Sequence, residues 1–139
     1  MRQNISLIFL QGLGNSINNF PIYWQLAEKH NVSVVTFNNG SAKFYRSFGA
    51  NVEAINSLGE LYLKCRKLKS DVSFSLFPNW KRELLALNSL QSSRKYHFSS
   101  KPWLTHLFMG NKIPSDPNRH DFENNLAILQ ELEIQHNSS

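Results

Sequence analysis

The chain's clearest candidate for ligand chemistry is a turn around two glycines, the glycine turn, which follows an apolar run near the N-terminus. Gly12 and Gly14 allow a ligand to approach the backbone closely, because glycine has no Cβ. The side chains of Asn15, Ser16 and Asn18 can donate or accept hydrogen bonds beside them. A helix that starts here would also offer unpaired N–H groups to an anion. The glycine turn is therefore predicted to bind a sugar or phosphate oxygen.

Two nucleotide-binding motifs that contain a similar turn do not fit this sequence. A dinucleotide fingerprint requires a third glycine and an acidic residue at the end of the second strand. The chain has Ile17 in the first of these places and Phe37-Asn38-Asn39 in the second. A Walker phosphate loop requires Gly-Lys-Ser or Gly-Lys-Thr, which the sequence lacks. We therefore expect no NAD, FAD or other cofactor at the glycine turn.

Basic residues are concentrated in the middle of the chain. Between Lys64 and Lys101 there are nine Lys or Arg against two acidic residues, and the whole chain has a formal charge of +5. Such a surface attracts phosphorylated glycans, acidic lipid headgroups or nucleic acid, although a solvated helix face explains it equally well. The basic residues predicted to contact a ligand are Lys64, Arg66, Lys67, Lys81 and Arg82.

Trp80 lies directly before two of these basic residues. An exposed indole there could stack on a sugar ring while Lys81 and Arg82 hold a phosphate, and burial of the ring in the core is the alternative. Trp80 is therefore included among the predicted substrate-binding residues.

The other reactive side chains give little support for a metal site or a nucleophile. His97, His106 and His120 have no partner at the spacing of metal ligands. Cys65 is the single cysteine and lies in a segment of apolar periodicity, which favours a structural thiol in a reducing compartment. We therefore expect no bound metal.

Apolar segments of strand character alternate with segments of helical spacing along the chain, which is typical of βαβ units and a parallel sheet. We predict one Rossmann-like three-layer α/β domain over residues 1–139, with a mostly parallel sheet of five or six strands. Ser41 is predicted to cap a helix. The predicted strands cover residues 5–10, 32–37, 52–55, 71–77 and 94–98. The predicted helices cover residues 18–30, 41–48, 58–69, 79–90 and 116–132.

Residues 99–118 contain three of the five prolines, which predicts a long loop of the kind that serves as a lid or binding segment. No apolar run approaches the roughly eighteen residues of a membrane-spanning helix. The apolar start of the chain is too short for a signal peptide. These features predict a cytoplasmic location.

The spacing around the glycine turn resembles the start of glycosyltransferase family 9, the lipopolysaccharide heptosyltransferases. In that family a strand is followed by Gly-Asp, five mostly apolar residues, a proline and a helix. The matching residues here are Gly14, Asn15 and Pro21. Three further parts are similar to the family's N-terminal domain: the strand 71–76 with the basic residues 81–82 after it, the segment 94–98, and the helical segment 120–132.

The resemblance implies half of a GT-B architecture, namely the N-terminal domain that binds the acceptor. The C-terminal domain, through which such enzymes bind the nucleotide-sugar donor, is absent from these residues. We therefore expect this chain alone not to transfer sugar. The implied partner is an anionic or phosphorylated glycan acceptor of lipopolysaccharide or surface glycan assembly, with peripheral contact to the inner membrane.

Asn15 and His97 depart from the family's pattern, and Asn18 and Asn19 replace residues that are usually apolar there. The family's aspartate after the glycine looks like the general base, whereas the amide of Asn15 is not basic near neutral pH. Asn15 could orient an acceptor hydroxyl, or it could only cap the helix. His97 stands where the family has a glycine, so the backbone there is less open to a ligand.

Two hypotheses follow from the sequence. The first is the acceptor-binding domain of a family-9-like glycosyltransferase, for which nucleic acid is not an expected partner. The second is a free-standing α/β binding module whose basic surface contacts an anionic macromolecule. Binding by such a module would depend strongly on salt and would survive mutation of Gly14 and Asn15.

Overall fold

The computed structural model describes residues 2–10, 12–76, 81–98, 111–113 and 121–138. The strands are β1 Asn4–Ile8, β2 Asn31–Phe37, β3 Asn51–Ile55, β4 Lys69–Ser75, β5 Gln91–His97 and β6 Asn111–Lys112. The helices are α1 Leu13–Asn18, α2 Phe20–Lys29, α3 Gly40–Ser47, α4 Leu58–Lys67, α5 Lys81–Ser89, α6 Asp121–Asn125 and α7 Ala127–Ser138.

The strands form one sheet in the order β3-β2-β1-β4-β5-β6, and every neighbouring pair is parallel. The prediction of a Rossmann-like parallel α/β sheet is therefore confirmed, with six strands. β1 lies in the middle, where Ile5 pairs with Val32 of β2 on one side and with Val72 of β4 on the other. The strand order reverses between β1 and β4, and open parallel sheets bind ligands at the carboxyl end of such a reversal.

The sheet separates two hydrophobic cores. Along β1 and its continuation, Ile5, Leu7 and Phe9 belong to one core, and Ile8 and Leu10 belong to the other. This alternation follows from the opposite directions of successive side chains in a strand. The first core is closed by residues of α2, α3 and α7, and the second by residues of α4 and α5. The predicted three-layer arrangement is therefore present.

An aromatic cluster joins α2 to α3. The ring of Phe20 lies 4.5 Å from the ring of Phe48 and 5.4 Å from that of Phe44, measured between centroids. Its centroid also lies 5.6 Å from Tyr45 and 5.8 Å from Trp24. Tilted and edge-on contacts at these distances are the favoured geometries of aromatic pairs. Trp24 and Phe48 are each half exposed, so the cluster reaches the surface.

Two helix starts differ from the prediction. The helix predicted over 18–30 corresponds to α2, which begins two residues later, and the short helix α1 precedes it, with a turn at Asn19 between the two. Asn19 is buried, and its Oδ1 accepts a hydrogen bond from Asn125 Nδ2 at 3.1 Å. The cap of α3 is Asn39 rather than Ser41, since the Asn39 side chain accepts from the Ser41 backbone N–H at 2.8 Å.

The structure describes only part of the C-terminal third of the chain, so the predictions there are only partly tested. The short strand β6 lies within the segment predicted as a loop over 99–118, and the rest of that segment lies outside the described residues. Trp80, His106 and His120 also lie outside them. The helix predicted over 116–132 is described from residue 121 onward, as α6 and α7. Within the part of the chain that is described, no helix is long and apolar enough to cross a membrane.

Candidate functional site at the carboxyl edge of the sheet

The glycine turn leaves β1 at the carboxyl edge of the sheet, where the strand order reverses. Just past the end of β1, the Phe9 N–H donates to the Val35 carbonyl at 3.1 Å. On the other side, the Leu76 N–H donates to the Ile8 carbonyl at 2.9 Å. These bonds keep the chain between β2 and β4, so the turn emerges at the crevice where ligands of such sheets bind.

The two glycines of the turn are exposed and open. A Cβ built on Gly12 or on Gly14 would have no heavy atom within 4 Å. Neither residue has the positive φ that favours glycine, whereas Gly49 does, at +82°. The fold itself therefore does not require glycine at these two positions. Free space beside the backbone is what the close approach of a ligand needs.

Ser16 is placed inside the fold. It is fully buried, and its Oγ lies 2.7 Å from Ser41 Oγ and 3.2 Å from the Gly12 carbonyl oxygen. The Tyr45 hydroxyl donates to the Ser16 carbonyl at 2.7 Å, and burial raises the pKa of Tyr45. This placement favours a structural role for Ser16, which joins α1 to α3, over the predicted contact with a ligand.

Arg82 brings a cation to the glycine turn. Its Nη2 donates to the Leu10 carbonyl at 2.9 Å, and its Nε donates to Glu83 Oε1 at 3.0 Å. Its guanidinium carbon lies 5.3 Å from the centroid of the Phe37 ring, within the range of a cation–π contact. The Glu83 side chain is fully buried, while 31% of the Arg82 side chain remains exposed. The structure thus brings Arg82 and the glycine turn together, and contact with a ligand stays a prediction.

The basic residues of α4 do not surround the glycine turn. Lys64 donates to the Ala54 carbonyl at 2.8 Å and pairs with Glu60 at 2.8 Å, beside the edge strand β3. Arg66 and Lys67 end α4, directly before β4 begins. A crossover helix runs antiparallel to the strands, so its last turn lies at the amino edge of the sheet. The expectation that Arg66 and Lys67 extend the surface around the turn is therefore not met.

The remaining predicted site residues that the structure describes belong to α1 and α5. Asn15 lies in α1 directly after Gly14, and Asn18 ends that helix and is exposed. Lys81 begins α5 beside Arg82. Both helices begin at the carboxyl edge of the sheet, because α1 follows β1 and α5 follows β4. Their roles as substrate-binding residues, and that of Asn15 in the position of the family's base, stay predictions.

Two partners of Arg82 were missed from the sequence. Glu83 holds the guanidinium through its carboxylate, and Phe37 lies under it. The available signals were an acidic residue directly after Arg82 and an aromatic residue at the end of a strand. A residue at the end of β2 lies at the same sheet edge as the residues that follow β1 and β4.

The two described candidates for redox or metal chemistry, Cys65 and His97, are buried. Cys65 is buried, and desolvation raises the pKa of its thiol to about 12. His97 is also buried, and its carbonyl accepts from the Ile113 N–H at 2.7 Å. Among the described residues there is no group of three or more His, Cys, Asp or Glu that could hold a metal ion.

No protein-family model matches the chain, and no curated protein sequence matches it. One solved structure to which it is similar is a dipicolinate synthase subunit from Bacillus halodurans. The two are 14% identical with a TM-score of 0.49, and the match covers 96% of this chain and 46% of that chain. The chain thus spans less than half the length of that protein. We draw no functional conclusion from a likeness at this level.

Proposed function

We propose that this chain is the acceptor-binding domain of a glycosyltransferase similar to family 9. It binds an anionic or phosphorylated glycan of lipopolysaccharide or surface glycan assembly at the carboxyl edge of the sheet. Its proposed location is the cytoplasm, where it contacts the inner membrane peripherally. The proposal rests on the sequence resemblance together with one structural observation, the position of Arg82 beside the glycine turn.

The geometry supports recognition of a phosphorylated sugar in two ways. The guanidinium of Arg82 is held at the Leu10 carbonyl, and 31% of the side chain is exposed, so its positive charge can attract an anion. Gly12 and Gly14 follow Leu10 closely in the chain, and the open space beside their backbone can hold a sugar ring. A charged group and an accessible backbone at one sheet edge can hold the two ends of one ligand.

The proposal concerns binding rather than transfer. Asn15 supplies no general base, because an amide does not accept a proton near neutral pH. Sugar transfer would require a second domain that binds the nucleotide-sugar donor, and a base contributed by another residue. We therefore expect glycan binding, but no transfer, from this chain alone.

The glycine turn allows a direct test of the proposal. Gly14 and Gly59 are each the second residue of a helix, each follows a leucine, and a Cβ on either would meet no atom within 4 Å. Calorimetric titration with phosphorylated lipopolysaccharide core oligosaccharide would compare Gly14→Ala with Gly59→Ala. We expect Gly14→Ala to raise Kd about tenfold or more, equal to about 1.4 kcal/mol, and Gly59→Ala to leave it unchanged. Equal affinities for the two variants would contradict the proposed site.

A second candidate function has one observation in its favour. Arg66 and Lys67 lie at the amino edge, away from the glycine turn, so they are placed to contact a separate anionic macromolecule. For this binding module, Kd would rise steeply between low and moderate salt with any polyanion. Gly14→Ala would leave that binding intact, which separates the two candidates.

A further inference from the structure

A polar cavity lies at the amino edge of the sheet, opposite the glycine turn. Its volume is about 560 Å³. It is bounded by α2, by the loop after α3, and by the first residues of β1 to β4. The polar side chains that matter here are Arg2, Asn4, Tyr23, Asn31, Asn51 and Lys69. None of the residues predicted from the sequence to bind a ligand lines this cavity.

Two permanent cations line the cavity. Arg2 is anchored, since its Nη1 donates to the His30 carbonyl at 3.3 Å and its Nη2 contacts the Glu28 carbonyl at 3.5 Å, both at the end of α2. Lys69 is exposed and forms no ion pair among the described residues. The carboxylate of Asp71 accepts from the Asn4 backbone N–H at 2.8 Å, so part of its charge is already engaged. The local charge therefore favours an anion.

Three asparagines begin three adjacent strands and line the same cavity. Asn31 Nδ2 donates to Asn4 Oδ1 at 3.3 Å, and Asn51 Nδ2 donates to Ser33 Oγ at 3.0 Å. A side-chain amide has two donors and an acceptor with two lone pairs, so each retains capacity for further hydrogen bonds. These amides suit a ligand that carries several hydroxyl groups.

Tyr23 adds a hydroxyl group to the lining, which also has a smaller apolar part. Its side chain lines the cavity, and its hydroxyl makes no hydrogen bond within the described part of the chain. Ile5, Ala27 and Val32 provide apolar lining beside it. A lining that combines several polar groups with some apolar side chains suits a sugar ring, which has C–H faces and a rim of hydroxyls.

We infer that the amino-edge cavity binds a small phosphorylated sugar. Lys69 and Arg2 hold the phosphate, while Tyr23 and the strand-initial asparagines bind the sugar hydroxyls. The inference does not depend on the proposed glycan site, because the two sites lie at opposite edges of the sheet and share no residue.

The test is a titration of the whole chain with glucose 6-phosphate, glucose and inorganic phosphate as probes. Lys69→Gln removes one charge from the cavity, and Tyr23→Phe removes only a hydroxyl. Lys43→Gln is the matched control, since Lys43 is an exposed lysine in the first half of α3, towards the other sheet edge. Thermal unfolding of each variant checks that it is folded.

We expect saturable binding of glucose 6-phosphate, with weaker binding of phosphate and of glucose. Lys69→Gln should raise Kd about tenfold or more, and Tyr23→Phe about threefold to tenfold, because a bond to a charged group contributes more than a neutral one. Lys43→Gln should leave Kd unchanged. In the unmodified chain, NMR signals of the side-chain amides of Asn4, Asn31 and Asn51 should shift on saturation.

Three results would overturn the inference. The first is no saturable binding of glucose 6-phosphate to the unmodified chain. The second is an equal loss of affinity in Lys69→Gln and Lys43→Gln, which would indicate attraction to net charge alone. The third is saturable binding without any shift of the three asparagine amides, which would place the ligand elsewhere.

Discussion

The guanidinium of Arg82 donates a hydrogen bond to the carbonyl of Leu10 at 2.9 Å, across 72 residues of sequence. This bond fastens the first turn of α5 to the chain that leaves β1. Because the carboxylate of Glu83 is buried against the same guanidinium, the position of the charge is fixed by two partners. The glycine turn and Arg82 therefore form one structural unit.

Removal of the buried carboxylate should destabilise this unit. Glu83→Gln replaces a charged acceptor by a neutral amide beside Arg82, and we expect the free energy of unfolding to fall by about 2 kcal/mol. Urea unfolding followed by circular dichroism measures the change. Glu28→Gln, at an exposed position of α2, is the control and should change stability by less than about 0.5 kcal/mol. A loss no larger than that of the control would show that the pair does not stabilise the fold.

The hydroxyl of Tyr45 should contribute to stability through its bond to the Ser16 carbonyl. Tyr45→Phe leaves that buried carbonyl without this donor, and we expect a loss of about 1–3 kcal/mol. Tyr62→Phe serves as the control, since Tyr62 is half exposed on α4. Chemical unfolding should show a clearly larger loss of stability for Tyr45→Phe than for Tyr62→Phe. The prediction fails if both lose the same stability.

Within the aromatic cluster, Phe20 should be more costly to truncate than Phe48. Phe20→Ala removes the ring that contacts Phe44, Tyr45 and Phe48, and we expect a loss of about 3 kcal/mol. Phe48→Ala removes a half-exposed ring and should cost about 1 kcal/mol. Thermal and urea unfolding both report the difference. A larger loss for Phe48→Ala would mean that the cluster is centred on α3 instead.

The thiol of Cys65 should be unreactive in the folded protein. Its pKa is raised from 9.0 to about 12 by desolvation, so at pH 8 the folded chain holds almost no thiolate. A disulfide reagent at pH 8 should label the chain rapidly in urea and very slowly without it. Rapid labelling of the folded chain would contradict the burial of this residue.

The same pKa shift has a consequence for stability. Because the folded pKa lies above the unfolded one, the folded state keeps its proton at alkaline pH while the unfolded state releases it. The contribution of this pKa shift to the free energy of unfolding is fully present below pH 9 and is lost as the pH rises towards 12. In unfolding experiments between pH 8 and pH 10, Cys65→Ala should therefore lose less stability with rising pH than the unmodified chain.

The sheet could be predicted from the sequence because its strands are apolar and separated by helical patterns. The boundaries were less accurate where polar residues join a strand. β4 begins at Lys69 rather than at Asp71, because Lys69 pairs with Gln91 at the amino edge, where side chains are solvated. The break at Asn19 carried no local signal, since its buried bond to Asn125 joins residues 106 positions apart.

The candidate site could be predicted only in part, for a geometric reason. Arg66 and Arg82 belong to the same basic stretch of sequence, but Arg82 lies in the first turn of its helix and Arg66 in the last. Helices that connect parallel strands therefore place the two residues at opposite edges of the sheet. Position within each helix, rather than charge alone, decides which cations can meet a ligand at the glycine turn.

The free space beside Gly12 makes the glycine turn a practical attachment point. Since Cys65 is the single cysteine and is buried, a Gly12→Cys chain would carry one readily modified thiol. A fluorophore coupled there would lie at the rim of the crevice where the strand order reverses, without disturbing the packing of the core. A change in its emission would then report the binding of a compound in that crevice.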